Sequence, residues 1–378
     1  MHVSFWEQES FYNNIDYAIV GSGIVGLSAA IELRNKFPTA KVVVLEKGFL
    51  PSGASTKNAG FACFGSPTET LDDLSIMSEN EVFNIVKKRW DGLLNLRKLL
   101  GEENLGFEQL GSCELFTKDD ENIYIKTVEK LDYLNNFLKP IFKENVFLCK
   151  DELISEFGFK NIAHVIYNKF EGQIDTGKTM KSLLKLAQEK GVEIINGVNV
   201  KSVEPNNNKV VIGLEDFEIE SANVIIATNG FAKQLLPELN VEPARAQVLI
   251  TKPIEGLKLK GTFHYEQGYY YFRNVGNRVL FGGGRNLDFE TENTSEFKLT
   301  PIIQNKLDQL LNEVILPYKK DVEVEMRWVG IMGVGNKKTT IVKQLENNIY
   351  CAVRMGGMGV AIGSLIGKEV VELLDNKE

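Results

Sequence analysis

The hydrophobic and polar positions near the start of the chain form a regular pattern. Residues 17–20 (Tyr-Ala-Ile-Val) are a short apolar run that ends at glycines, and the stretch that follows, up to Phe37, has helical spacing. Residues 41–45 form a second apolar run. The pattern therefore predicts a strand, a tight turn, a helix and a second strand, which is the start of a parallel sheet with right-handed crossovers.

Further along, the same reasoning predicts more helices and two kinds of strand. Helices are predicted at 71–100, 121–142 (with Pro140 marking its end), 176–190, 301–316 and 362–374. Strands are predicted at 192–195, 198–204, 209–214, 217–219, 224–227 and 349–353. Residues 247–289 alternate as in an antiparallel sheet. The fold class is thus α/β and α+β, with a Rossmann-like domain and a second, antiparallel-sheet domain.

Composition limits the possible functions. A chain of 378 residues suggests two domains, and 43% hydrophobic with 25% charged residues is typical of a soluble globular protein. The net charge of -8 disfavours nucleic acid as a partner. The four cysteines have no metal-ligand spacing, so no metal site is predicted. With no secretory signal and no apolar run of about 20 residues, we expect no membrane insertion and a cytoplasmic location.

The turn from Gly21 to Gly26 has the spacing of a dinucleotide-binding motif. Gly21 permits the tight turn, Gly23 allows backbone amides near Ile24 to approach a pyrophosphate, and Gly26 lets the helix pack against the strand. About 20 residues later, Glu46 stands at the end of the second strand, where a carboxylate can take a ribose hydroxyl. Lys47 follows it. The alternative is a glycine-rich turn that binds no ligand.

A second motif, Gly53-Ala-Ser-Thr-Lys-Asn-Ala-Gly-Phe61, resembles the second fingerprint of the D-amino-acid oxidase and glycine oxidase superfamily of FAD enzymes. Further segments resemble the same superfamily in the same order: 172–177, 227–230, 245–248, 282–284, 327–331 and 356–359. Some positions resemble its γ-glutamylputrescine oxidase-like branch. The resemblance implies FAD as the cofactor, between an FAD-binding domain (1–90, 160–242 and 322–378) and a substrate domain (91–159 and 243–321).

The resemblance also implies which residues hold FAD. Small residues in the second motif would let backbone run against the cofactor, while Lys57 and Asn58 can donate hydrogen bonds to it. Gly356 to Val360 would aim a helix N-terminus at the flavin. The remaining residues expected to contact FAD are Ala54, Ser55, Ala59, Gly60, Phe61, Val200, Thr228, Gly230, Gly357, Met358 and Gly359.

The expected substrate is a small amine or amino acid, whose carbon–nitrogen bond is oxidised by hydride transfer to flavin N5. In glycine-oxidase-like members an arginine clamps the substrate carboxylate, but Met332 stands at that position here, with Arg327 nearby in sequence. Tyr269, Tyr271 and Arg273 are further substrate-facing candidates, because alternate residues of a strand share a face. An aromatic packing surface is the alternative. His264 is expected to be a surface histidine, and a proton carrier is the alternative.

Other departures concern the cofactor's attachment and its re-oxidation. Ile331 stands where sarcosine-oxidase-like members attach FAD to a cysteine, so the FAD is expected to be non-covalent. Leu280 replaces a lysine that promotes reaction with oxygen, so the electron acceptor is oxygen or unknown. The alternatives are an FAD-dependent 2-hydroxy-acid dehydrogenase, a flavin subunit that feeds electrons to a partner, and an NAD dehydrogenase.

Overall fold

The structure is a computed structural model that describes residues 3–374. Its helices are α1 (Phe5–Glu7), α2 (Ile24–Lys36), α3 (Pro67–Ile76), α4 (Glu79–Leu100), α5 (Glu102–Leu105), α6 (Glu121–Glu129), α7 (Leu131–Phe142), α8 (Glu152–Phe157), α9 (Thr176–Glu189), α10 (Pro301–Leu310) and α11 (Gly359–Glu372). Its strands are β1 (Ile15–Val20), β2 (Val42–Glu46), β3 (Phe61–Ala62), β4 (Ser112–Phe116), β5 (Phe147–Cys149), β6 (His164–Asn168), β7 (Gly172–Gln173), β8 (Glu193–Asn196), β9 (Ser202–Asn206), β10 (Lys209–Gly213), β11 (Glu218–Ile226), β12 (Glu242–Thr251), β13 (Thr262–Tyr265), β14 (Tyr270–Val275), β15 (Arg278–Gly283), β16 (Val324–Val334), β17 (Ile341–Glu346) and β18 (Ile349–Val353).

The first sheet has the order β17-β18-β11-β1-β2-β8, and its central pairs are parallel. β2 is fully buried, and β1 is buried apart from its residues 16 and 17. Helices α2, α4, α9 and α11 form the core on one face of these strands, and Val210, Ile212 and Leu236 belong to the core on the other. The strand, turn, helix and strand predicted at the N-terminus are confirmed. Burial on both faces explains why these strands are continuous apolar runs instead of alternating ones.

The second sheet has the order β16-β12-β15-β14-β13-β4-β6-β5 and is antiparallel apart from the β13–β4 pair. One face packs against α10 and the turn that follows it, around Phe263, Phe272 and Phe281. The other face is directed toward the first sheet at β14 and β16. The mixed fold class predicted from sequence is confirmed.

Sheet membership departs from the expected domain ranges at two strands. β6 pairs with β4 and β5, and β16 pairs with β12, so both belong to the second sheet. Both lie inside ranges that the sequence placed with the first domain. The chain crosses from one sheet to the other at each of these strands. The local hydrophobic pattern could not predict this, because it does not indicate which distant strand a given strand pairs with.

Local patterns also merged or divided some elements incorrectly. The predicted helix 71–100 is two helices, because Ser66 and Ser78 each start a helix with a capping box. Pro140 lies inside the last turn of α7, which continues to Phe142. The two strands predicted between 217 and 227 are the single strand β11, whose first half pairs with β10 and whose second half pairs with β1. No helix within residues 3–374 is long and apolar enough to span a membrane.

Candidate functional site

A cavity of about 680 Å³ lies where the two sheets face each other. Its lining comes from the glycine turn after β1, the loop 52–61, the end of β11 and the turn before α11. The second sheet contributes residues of β12, β13, β14 and β16. The volume falls within the range of about 300–1,000 Å³ that is usual for ligand and cofactor sites.

The glycine turn opens helix α2 directly at the cavity. Gly21 adopts φ +106°, and a methyl group on Gly26 would lie 1.9 Å from the carbonyl oxygen of Gly21, so both positions require glycine. Gly21, Gly23 and Ile24 line the cavity, whereas Gly26 lies outside the lining and has the packing role that its motif predicts. No side chain caps the N-terminus of α2, although the hydroxyl of Ser55 accepts a hydrogen bond from Ile24 N at 3.0 Å.

The carboxylate of Glu46 is buried and holds the loops around it. Its Oε2 accepts hydrogen bonds from Ser22 N (3.0 Å) and Ser22 Oγ (2.7 Å). Its Oε1 accepts from Gly48 N, Ser52 N and Ser52 Oγ. Glu46 and Lys47 both line the cavity. The contact of Glu46 with a ribose hydroxyl stays a prediction. In the structure, the carboxylate of Glu46 accepts hydrogen bonds from the backbone on both sides of it.

The loop 53–61 is fixed largely by its own side chains. The amide nitrogen of Asn58 donates to the carbonyls of Ala54 and Ser55, and its Oδ1 accepts from Gly60 N. The expectation that Asn58 donates to the cofactor is therefore wrong for this arrangement, because the protein already uses its N–H groups. The ammonium of Lys57 lies 5.5 Å from the centre of the Phe297 ring. All the expected contacts from Ala54 to Phe61 line the cavity.

Arg273 is not available to a substrate. Its side chain is 5% exposed, and it donates to the carbonyls of Ala59 and Ile174, the latter at 3.0 Å. A methyl group on Gly60 would lie 2.6 Å from Nη2 of Arg273. Burial lowers the pKa of this guanidinium to about 10. The prediction that Arg273 faces the substrate is wrong, because its guanidinium donates hydrogen bonds to backbone carbonyls of the loop 53–61 and of Ile174.

Arg327 and Tyr269 also point elsewhere. Arg327 makes an ion pair with Asp308 of α10, in which its Nη2 donates to Oδ1 at 2.7 Å and to Oδ2 at 2.9 Å. Tyr269 precedes β14, is 46% exposed, and packs against Phe289. Neither residue lines the cavity. Their predicted substrate contacts are wrong, because Tyr269 lies before the strand and alternation along β16 does not fix which of its residues reach the cavity.

Tyr271 and Met332 do lie at the cavity. Tyr271 stands edge-to-face against Phe61, and burial raises its pKa to about 12, so its hydroxyl stays protonated. The sulfur of Met332 lies 3.5 Å from the place that a methyl group on Gly357 would take. An apolar thioether thus stands beside the glycine turn that leads into α11.

The remaining expected cofactor contacts also line the cavity. They are Val200, Thr228, Gly230, Gly356, Gly357, Met358, Gly359 and Val360. No side chain caps the N-terminus of α11. Asn229 fixes the preceding turn, since its Oδ1 accepts a hydrogen bond from Met355 N at 3.0 Å.

The arrangement fits the dinucleotide FAD. Helices α2 and α11 open at the cavity with N-cap residues that make no side-chain hydrogen bond, and in α2 the Ser55 hydroxyl accepts only from Ile24 N. By contrast, Ser66, Ser78 and Asp175 cap α3, α4 and α9 with their side chains. Uncapped N-termini favour anions and electron-rich groups such as phosphate and ring carbonyls. The buried hydroxyl of Thr228 lines the cavity and has no hydrogen-bond partner among the described residues. A bound FAD would satisfy these groups.

Among the ionisable side chains that line the cavity, three were not predicted from sequence as site residues: Cys63, Glu69 and His264. His264 was expected at the surface, but it is only 7% exposed because β13 is an interior strand between β14 and β4. Its pKa is lowered by burial, against the opposing effect of Glu69. Glu69 was not predicted as a site residue, because a glutamate three residues after Ser66 indicates a capping box, which is a structural motif. That spacing predicts the start of the helix but not the contact with the cavity.

Two buried carboxyls support the segment that carries Glu69. Glu171 accepts hydrogen bonds from Phe64 N (2.7 Å) and Gly65 N (3.0 Å), and Glu114 accepts from Ser66 Oγ and Thr68 N. Burial raises the pKa of each carboxyl to about 7. Within residues 3–374, no group of three or more acidic, histidine or cysteine side chains is placed to hold a metal ion.

Comparisons with known proteins agree on one family. A family model described as FAD dependent oxidoreductase matches residues 16–373. The probable oxidoreductase OrdL of Haemophilus influenzae is 22% identical over 378 residues, which covers 95% of this chain and 82% of that protein. The structure is similar to glycine oxidase from Geobacillus kaustophilus (TM-score 0.76, 21% identity, 96% of this chain and 95% of that one). It is equally similar to iminodiacetate oxidase from Chelativorans sp. BNC1 (TM-score 0.76, 21% identity, 96% of each chain).

Proposed function

Because the chain belongs to the FAD dependent oxidoreductase family, whose cofactor is FAD, we propose that it oxidises a carbon–nitrogen bond of a small amine or amino acid. The names of two similar structures, glycine oxidase and iminodiacetate oxidase, support this class of substrate. Bound FAD supplies a hydride acceptor at its N5 atom. The substrate loses a hydride from carbon and a proton from nitrogen, and water hydrolyses the resulting imine.

The role of the chain's own residues is to position the substrate and exclude water. Tyr271 and Met332 reach the cavity from the second sheet, opposite the glycine turns of the first. Aligning the reacting carbon with the hydride acceptor lowers the entropic part of the barrier. The two electrons then pass to oxygen or to another acceptor, which restores the oxidised cofactor.

The absence of arginine from the described cavity lining favours an amine substrate over a hydroxy acid. Among the described residues that line the cavity there is no arginine, because Arg273 and Arg327 are both engaged elsewhere. Guanidinium groups are the usual bidentate partners of a carboxylate. A 2-hydroxy acid depends on recognition of its carboxylate, whereas an amine does not, so this lining favours the amine.

The test is anaerobic reduction of the FAD-loaded protein by a panel of alkylamines, amino acids and 2-hydroxy acids. We expect amines or amino acids to bleach the oxidised flavin absorbance without any partner protein. Reduction by hydroxy acids alone would contradict the proposal, and a requirement for a second protein would favour an electron-transfer subunit. Oxygen consumption measured beside dye reduction then distinguishes an oxidase from a dehydrogenase.

A further inference from the structure

Two hydrogen-bond acceptors meet the cavity beside Phe61 and are not used by the family motifs. Glu69 comes from the first turn of α3, and His264 comes from the middle of β13. His264 pairs in register with Tyr271, and its ring stands edge-to-face against Phe61 at 5.4 Å. Its Nε2 is buried without a hydrogen-bond partner among the described residues. A buried polar atom without a partner destabilises the folded protein unless a ligand satisfies it.

The backbone fixes the orientation of Glu69. Its Oε2 accepts a hydrogen bond from Ser66 N at 3.0 Å, as the capping box requires. Its Oε1 lies beside Gly268, where a methyl group would come within 3.3 Å. Gly268 has φ +85°, so backbone instead of side chain covers this oxygen. Oε2 therefore holds the start of the helix, while Oε1 lies beside Gly268, and both Glu69 and Gly268 line the cavity.

The charges around Glu69 keep it ionised. Burial acts to raise its pKa, but His264 when it is protonated, the Ser66 backbone, Arg89 and Lys338 bring the pKa below its ordinary value. Arg89 donates to the carbonyl of Phe64, and Lys338 pairs with the buried Asp73. Neither cation lines the cavity. A ligand at this end consequently meets a carboxylate and an imidazole.

We propose that Glu69 and His264 bind an ammonium group of the substrate, so that the preferred substrates are alkylamines without a neighbouring carboxylate. This inference rests on the function proposed above and names its substrate class. The ammonium N–H groups donate to Oε1 of Glu69 and to Nε2 of His264, which is neutral because burial lowers its pKa. A substrate carboxylate at the same place would be repelled by Glu69.

The test uses two ligands of the same shape and opposite charge, tert-butylammonium and pivalate. Neither has a hydrogen on the carbon next to its polar group, so neither can be oxidised there, and binding is measured apart from turnover. Binding to the FAD-loaded protein is followed by calorimetry and by perturbation of the flavin spectrum. We expect tert-butylammonium to bind and pivalate to bind at least about tenfold more weakly.

The variants are Glu69→Gln and His264→Gln, with Glu81→Gln as the matched control. Glutamine at 69 can keep the capping box, and Glu81 makes the same capping box with Ser78 at the start of α4, outside the cavity lining. We expect about tenfold weaker binding of tert-butylammonium in Glu69→Gln, weaker binding in His264→Gln, and no change in Glu81→Gln. FAD content and circular dichroism check that each variant is folded.

The outcomes separate this inference from the proposed function. If tert-butylammonium binds as described but no amine reduces the flavin, the ammonium site stands and the proposed reaction fails. If amines reduce the flavin while Glu69→Gln and His264→Gln both bind tert-butylammonium like the unaltered protein, the ammonium site is overturned. Tighter binding of pivalate than of tert-butylammonium would also overturn it.

Discussion

The guanidinium of Arg273 donates to the backbone carbonyl of Ile174 at 3.0 Å, and this contact joins the second sheet to the segment that supports the cofactor loop. The same side chain holds the carbonyl of Ala59. Because Gly60 leaves room for the guanidinium, the loop and the arginine form one packed unit.

Replacing Arg273 should therefore weaken FAD binding as well as stability. The lysine ammonium in Arg273→Lys lacks the planar guanidinium that donates to both carbonyls. Each buried carbonyl left without a donor lowers the free energy of unfolding by about 1–3 kcal/mol. We expect a lower melting temperature and loss of FAD on gel filtration. Arg278→Lys is the control, because Arg278 lies on the neighbouring strand and pairs with Glu325 outside the cavity. Full FAD retention in Arg273→Lys would count against the clamp.

Met332 should influence substrate preference. Met332→Arg would bring a guanidinium to the cavity lining beside Gly357, where it can pair with a carboxylate. We expect the ratio of kcat/KM for amino acids to that for alkylamines to rise about tenfold or more. Met332→Leu, similar in volume, should leave the ratio unchanged. An unaltered ratio in Met332→Arg would mean that the substrate does not approach this residue.

Glu46 should be needed for cofactor binding through its hold on two loops. Glu46→Gln replaces one carboxylate oxygen by an N–H donor, which faces the donors of Ser22 or of Gly48 and Ser52. We expect FAD to bind at least about tenfold more weakly, since hydrogen bonds to a buried charge contribute about 1.5–3 kcal/mol. Ser22→Ala removes only one hydroxyl and should have a smaller effect. Fluorescence of released FAD measures both dissociation constants.

FAD should come free when the protein is denatured. The lining residue Ile331 cannot form a covalent bond to the flavin, and burial raises the pKa of Cys63, which keeps that thiol protonated and unreactive. We expect acid precipitation to leave all the yellow colour in the supernatant. Colour retained in the pellet would contradict this, and its loss in Cys63→Ser would then identify the attachment residue.

Stability should fall as the pH rises from about 4.5 to about 7. Glu114 and Glu171 have pKa values raised from the ordinary 4.5 to about 7 by burial, so the folded state holds their protons more tightly than the unfolded state does. Their contribution is complete below pH 4.5 and is lost as the pH rises through 7. Each shift corresponds to at most about 3 kcal/mol.

The measurement for this prediction is urea unfolding at several pH values. Glu171→Gln keeps a carbonyl oxygen for Phe64 N and Gly65 N but cannot ionise, so its free energy of unfolding should depend less on pH in this range. Glu81→Gln, at an exposed capping box, should leave this pH dependence unchanged. An equal slope in the Glu171 variant and the unaltered protein would show that this carboxyl does not titrate there.

The sequence by itself determined the cofactor end of the protein. Motifs such as Gly21 to Gly26 and Gly356 to Gly359 are local, since backbone geometry requires glycine at Gly21, Gly26, Gly356 and Gly357. Local spacing was therefore enough to predict the glycine turn and Glu46, and the resemblance of the later motifs to a known family added further residues that line the cavity.

Only the tertiary structure decided the substrate end. Tyr271 and Arg273 share a strand face. Tyr271 reaches the cavity, whereas the guanidinium of Arg273 donates its hydrogen bonds to the carbonyls of Ala59 and Ile174. Glu69 and His264 are nearly 200 residues apart in sequence and meet only because β13 packs beside the segment that opens α3. Alternation and spacing describe one element at a time, whereas a binding site depends on which faces of distant elements are brought together.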